Sequence, residues 1–242
     1  MRSPVTLLKD AWGIFSSNPK LFLGIYLIPA IIGFAFELYF GAKVDQESVM
    51  SSEQPLIFAA ALIVLIVANI LMGIALVKAV ANPSATTVGG AYREAKKYFL
   101  PYVLISLMVG VVVFFGLALL IIPGIIFAVW FSFAYFALIF EDKRGVEAMK
   151  VSKEYVKGKW WAVFGRYAFL LLIAILISVL MGIVATVLES GLENIGTAIA
   201  SFVFSAVMVP VVTAYTYLMY KDVSTSAPSS DVPQVEDVEE GE

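Results

Sequence analysis

The stretch YVLISLMVGVVVFFGLALLIIPGIIFAVWFSFAYFALIF, residues 102–140, runs for 39 residues without a charge. A single helix of that length would reach roughly 60 Å, about twice the hydrocarbon core of a bilayer. Pro123-Gly124 interrupts it near the middle, and this dipeptide is a strong turn signal. The spacing predicts two crossings, near 102–122 and 124–140, joined by a tight hairpin at Pro123-Gly124. A re-entrant second arm is the alternative.

Working outward, further apolar runs long enough to span lie near 20–40, 55–81, 161–188 and 196–220. Composition agrees. Hydrophobic residues make up 61% and charged residues 14%, against roughly 45–50% and about 25% in an ordinary globular chain. Mean hydropathy is +0.92. There is too little polar surface to coat a water-soluble particle, so the excess faces lipid. The fold class is therefore an all-α integral membrane protein with six transmembrane helices.

Lys and Arg test the count. With the N-terminus in the cytoplasm, 15 of the 16 basic residues fall on cytoplasmic segments, and only Lys43 lies outside. That is the positive-inside pattern, and an odd number of crossings would scatter it. The expectation is a multi-pass protein of the cell membrane with both termini cytoplasmic. The first 20 residues lack the pattern of a cleavable signal. The outer loops, 41–54, the Pro123-Gly124 turn and about 189–195, are short. Residues 1–221 form the membrane domain. From Asp222 to Glu242 the chain holds seven acids and no base, a separate acidic segment expected to stay disordered in the cytoplasm.

Three segments have helical amphipathicity. In 4–17, Ser3 suits a cap and Pro4 the first helical position. The segments 85–99 and 145–159 follow. All share one frame: Leu7-Leu8/Ala11/Ile14-Phe15, Ala91-Tyr92/Ala95/Tyr98-Phe99 and Ala148-Met149/Ser152/Tyr155-Val156. A small central residue lets a helix lie close to a neighbour. The chain thus reads as three interfacial helices, each followed by two spans, in an irregular threefold repeat.

Chemistry is constrained mainly by exclusion. Histidine and cysteine are both absent, which removes disulfides, zinc–thiolate and zinc–imidazole sites, and every Ser–His or Cys–His pair. Neither nucleotide-binding glycine motif occurs, and no cofactor or metal is expected. Intramembrane charge, the usual mark of transport, is sparse. Glu37, Lys78 and Arg166 sit near span ends and are expected to snorkel toward headgroups. Asn69 is the one deep amide, expected to bond between helices. Pro29 and Pro210 read as kinks. Ala174, Ser178, Gly182 and Thr186, with Thr197, Ser201 and Ser205, read as a small-residue packing face between the last two spans. In 145–161, Lys150, Lys153 and Lys157 share one helical face, and Lys159 precedes Trp160-Trp161. A basic amphipathic helix ending in tryptophans suits an anionic headgroup layer. The same lysines would also serve simply to hold the loop inside.

The pattern Ile122-Pro123-Gly124-Ile125, a span ending at Glu141, then Gly145, Ala148, Ser152, Gly158 and Trp160-Trp161, resembles the membrane domain associated with glycerophosphodiester phosphodiesterases. In fused members a separate soluble barrel carries that activity, and this chain has no such barrel. The resemblance therefore implies a membrane module, not the enzyme's activity. The function expected is a non-catalytic module organising anionic lipid or a protein partner at the cytoplasmic face. The alternative is a transporter or channel for a small or lipidic solute. Membrane lipids and an unidentified protein are the expected partners, not nucleic acid.

Overall fold

Residue types at helix starts explain where the elements begin. Ser3 accepts a hydrogen bond from the Thr6 amide (3.1 Å) and Pro4 occupies the first turn of α1, Pro4–Ser17. Pro19 again opens a helix, α2, Pro19–Phe40, with Asn18 between the two. In the computed structural model the described residues are 1–40, 55–192 and 195–226, without the side chains at 37, 38, 40 and 184–200. The elements that follow are α3, Pro55–Ala81; α4, Val88–Leu119; α5, Ile121–Trp130; α6, Ala134–Glu141; α7, Val146–Val156; α8, Trp160–Leu192; and α9, Ile195–Ser224. All described elements are helices. Six are long and apolar enough to cross a membrane, with α5 and α6 together supplying one. The expected all-helical, six-span architecture is present.

Two features differ from expectation. Residues 85–99 do not form a separate helix: α4 is continuous from Val88 through Pro101, starting at a Thr87 cap. Proline costs a helix one hydrogen bond, yet the helix continues through it. The hairpin turns at Leu120, where the backbone is extended (φ −158°, ψ 143°), and not at Pro123-Gly124. Pro123 is instead in the first turn of α5, where its missing N–H costs nothing. Gly124 serves approach. A Cβ there would stand 2.4 Å from the Leu117 side chain and 2.8 Å from its backbone nitrogen. One on Gly116 would stand 2.9 Å from the Gly124 Cα.

The span Ile121–Glu141 is itself broken at Phe131–Phe133. Ser152 of α7 closes the break. Its hydroxyl donates to the Trp130 carbonyl (2.7 Å) and accepts from the Phe133 amide (3.0 Å). A similar repair is made in α2, where Pro29 leaves the Ile25 carbonyl without its helical donor. The Tyr92 hydroxyl from α4 donates to it at 2.8 Å.

Burial concentrates at one end of the bundle. Ile74, Ala75, Leu76 and Ala79 of α3 are fully buried, as are Ala134, Ala137 and Leu138 of α6 and Tyr215 and Met219 of α9. The central small residues Ala11, Ala95 and Ser152 are each 0% exposed. No member of the three five-residue frames is exposed.

Candidate functional site

At the end of α6 the chain must reverse twice within a few residues. Asp142 takes a left-handed conformation (φ 52°) and the Lys143 amide bonds back to the Ala137 carbonyl, closing the helix. Gly145 (φ 53°, ψ −126°) then starts α7 in a region open essentially to glycine. Gly158, at φ 74°, turns the chain again into α8. α7 is thereby laid back along α6, which is how Ser152 reaches the break.

Glu141, half-buried at the end of α6, receives three contacts from two tyrosines. Tyr155 of α7 lies 2.9 Å from both carboxylate oxygens, and the Tyr220 hydroxyl of α9 bonds Oε1. Burial, reinforced by the Glu141 carboxylate, pushes the Tyr155 hydroxyl above its ordinary range. Tyr220 also stacks on Phe136 and Phe140 at 5.3 and 5.9 Å between ring centres. A carboxylate at a helix C-terminus is disfavoured by the helix dipole, so the two hydroxyls offset an awkward charge. Lys78 complements the same helix end. Its ammonium donates to the Ile139 carbonyl (3.3 Å) and lies 4.5 Å from the centre of the Tyr98 ring. Lys78 thus turns inward and does not snorkel.

Arg166 departs further from expectation. It is 8% exposed and donates to the Ala162 carbonyl (2.7 Å) and to the Arg2 carbonyl, while its Nε finds no acceptor among the described residues. The N-terminal segment covers it. Arg2 is held there by Asp222: the Arg2 amide donates to Oδ2 at 2.8 Å, and Nε and Nη2 donate to Oδ1 at 3.0 and 2.8 Å. Asp10 takes Nη1 at 3.0 Å. The Arg2 guanidinium is consequently held charged above its ordinary value, chiefly by its hydrogen bond to Asp222.

Beside this polar end, α5 and the start of α8 enclose an apolar groove of about 540 Å3. It is lined by Ile122, Ile125, Ile126 and Trp130 on α5 and by Trp160, Trp161 and Phe164 on α8. The Trp160 and Phe164 rings stack at 5.1 Å. Lys153 of α7 places its ammonium 4.5 Å from the centre of the Trp130 ring, marking the Trp130 end of the groove with positive charge. Lys150 is exposed on the same face of α7. Lys157 is exposed and pairs with Glu154 at 3.5 Å. Lys159 reaches the Val223 carbonyl at 3.4 Å. Trp161 is 78% exposed. Of the residues expected to meet headgroups, Lys153, Trp160 and Trp161 are thus brought together at the groove, while Lys157 and Lys159 turn to neighbours.

The other expected residues lie elsewhere. Asn69 is exposed and donates to the Leu65 carbonyl of its own helix (2.8 Å), so its amide makes this bond within one turn and not between helices. Ser178, Gly182 and Ser201 are exposed, Ala174 and Ser205 half-buried. Of the neighbouring positions, Val163 and Leu170 of α8 and Val211 and Ala214 of α9 are buried. The side chains of Glu37, Thr186 and Thr197, and residues 227–242 of the acidic tail, lie outside the described residues.

Residues 102–223 match a family described as Domain of unknown function (DUF7847). The chain belongs to this family. The matched region takes in the hairpin, the break, the Glu141 clamp, α7 and the groove, so every contact just described except those of the N-terminal segment, α2 and α3 falls inside it. No curated protein and no solved structure matches the chain. Trp130, Tyr220 and Asp222 were not singled out by sequence as partners. The contacts that tie them to the site join residues 22 to 220 positions apart, and nothing local marks them.

Proposed function

We propose that this chain is a non-catalytic membrane module that gathers anionic lipid at the cytoplasmic face of the cell membrane, with a protein partner yet to be identified. The observation that carries this reading is Lys153 poised over Trp130 beside exposed Lys150, a cationic and aromatic surface of the kind that suits an anionic headgroup layer. Both termini are cytoplasmic in this reading. Support comes from the gathering of residues 2, 78, 98, 141, 159 and 222 at one end through direct contacts. α1, the first turns of α4, and α7 act as three interfacial helices laid against that end, in the threefold order of helix and two spans. The likeness to the membrane domain associated with glycerophosphodiester phosphodiesterases extends to the module alone.

The test replaces Lys150, Lys153 and Lys157 together with glutamine and measures co-purifying anionic lipid. Each basic residue near an anionic surface contributes about 1 kcal/mol. Lys157 is partly offset by Glu154, so a preference of about tenfold is expected, weakening with salt. A variant that inserts normally and keeps its full preference overturns the proposal. For orientation, Lys150→Cys provides an exposed thiol in a chain with no other. Labelling of that thiol from outside the cell reverses the topology.

A further inference from the structure

Three of the four tryptophans in the chain, Trp130, Trp160 and Trp161, line one groove. Along α5 the groove extends from Ile122 to Trp130, eight residues or roughly 12 Å at the helical rise. Its volume of about 540 Å3 is within the range of small-molecule sites, roughly 300–1,000 Å3. Over that length the groove offers an apolar trough in which a flexible alkyl chain can lie along α5.

The groove is also polarised along its length. The Trp130 indole and the Lys153 ammonium stand at one end, while Ile122, 71% exposed, stands at the other. Tryptophan favours the boundary between headgroups and hydrocarbon because its ring is apolar and its N–H polar. The order from cation through indole to isoleucine repeats the order from phosphate through ester to hydrocarbon in a phospholipid.

We propose that the groove between α5 and α8 holds one acyl chain of an anionic phospholipid whose phosphate sits at Lys153. This rests on the headgroup reading above and adds to it a seat for the chain. The lipid is thereby retained as a bound molecule, distinct from the exchanging layer around the protein.

The groove indoles report on their own occupant. In a Trp12→Phe background, which removes the one tryptophan outside the groove, the protein is placed in phosphatidylcholine nanodiscs. These are doped either with mid-chain-brominated phosphatidylglycerol or with the same brominated chain on phosphatidylcholine. Bromine quenches indole emission on contact. Quenching by the anionic lipid is expected to exceed that by the neutral one by about fivefold, the ratio given by about 1 kcal/mol from Lys153. Lys153→Gln should abolish that ratio. Ile122→Phe with Ile125→Phe narrows the groove at positions 71% and 37% exposed, where folding tolerates the change. It should remove the preferential quenching and leave lysine-dependent co-purification of anionic lipid intact.

Preferential quenching that survives the double phenylalanine variant overturns the proposal. So does equal quenching by the two brominated lipids in the unfilled groove. Absence of quenching by either lipid also overturns it, because a second copy or another protein then covers the groove. In each of these cases lysine-dependent lipid co-purification decides separately whether the headgroup reading stands.

Discussion

The two halves of α3 are alike in composition and opposite in surroundings. Leu56, Ile57, Ile63 and Val64 are 81%, 51%, 60% and 53% exposed, whereas Ile74, Ala75, Leu76 and Ala79 are fully buried. α8 divides the same way, with Val163 and Leu170 buried and Leu171, Leu172, Ile175 and Leu176 exposed. In water the hydrophobic effect would draw both halves inward. In lipid it does not distinguish them, since acyl chains are as apolar as leucine. What separates the halves is close packing and polar stitching. One end has small central residues, two tyrosines on Glu141, Ser152 in the helix break and Arg2 on Asp222. Over its described residues the other end presents apolar side chains outward, and the hairpin is where it becomes tight.

The hairpin therefore offers the largest expected effect. Gly124→Ala forces a Cβ against the Leu117 backbone and side chain, and overpacking of this kind costs about 3 kcal/mol. A marked fall in melting temperature in detergent is expected. Gly110→Ala, where a Cβ meets nothing within 4 Å, should leave that temperature unchanged or raise it, since alanine is the better helix former. Equal effects at the two glycines would erase the contrast between a packed hairpin and an open surface.

Next comes the stitch itself. Ser152→Ala leaves the Phe133 amide and Trp130 carbonyl without their partner in a buried setting, at a cost of about 2 kcal/mol. Ser178→Ala, on the exposed stretch of α8, should cost nothing measurable. Thermal melts of the two variants side by side provide the check, and a larger loss at 178 would break the comparison.

The smallest effect is a titration. The Tyr155 hydroxyl titrates above its ordinary value of 10.0 in the folded protein. Its protonated form is therefore favoured by folding, and the stability it contributes is full below about pH 10 and lost as pH rises beyond that. Tyr155→Phe should be less stable at neutral pH and show a shallower alkaline decline, read from melts across pH 8 to 11. An unchanged alkaline slope would remove Tyr155 from the packed end's account.

Sequence made the spans legible because a run of about 20 apolar residues has few other uses. It marked 4–17 and 145–159 as helical by their period, and the frame residues Ala11, Ala95 and Ser152 are buried. It misplaced the turn by three residues, because proline and glycine each serve two purposes. Pro123 opens a helix as readily as it ends one, and Gly124 is needed for proximity and not for its backbone freedom. Arg166 and Lys78 resemble snorkelling cations in sequence because their depth in a span is local information, whereas the Arg2 and Ile139 carbonyls that receive them are not. Asn69 taught the reverse lesson. A deep amide suggests a distant partner, yet the Leu65 carbonyl one turn back was sufficient. The groove has no local signature, because the two helices that form it, α5 and α8, lie about thirty residues apart in the chain.

The bond between Arg2 and Asp222 has a consequence for how the molecule is made. It joins positions 220 residues apart, and the covering of Arg166 depends on the same docking. At roughly 5–20 residues per second of synthesis, the N-terminal helix emerges on the order of 10–45 s before its seat on α9 exists. During that interval the apolar face of α1 lacks its seat on α9, and the membrane surface is the shelter its amphipathic pattern fits. α1 thus leaves the ribosome well before α9 and reaches its place only after it, a clasp that fastens late.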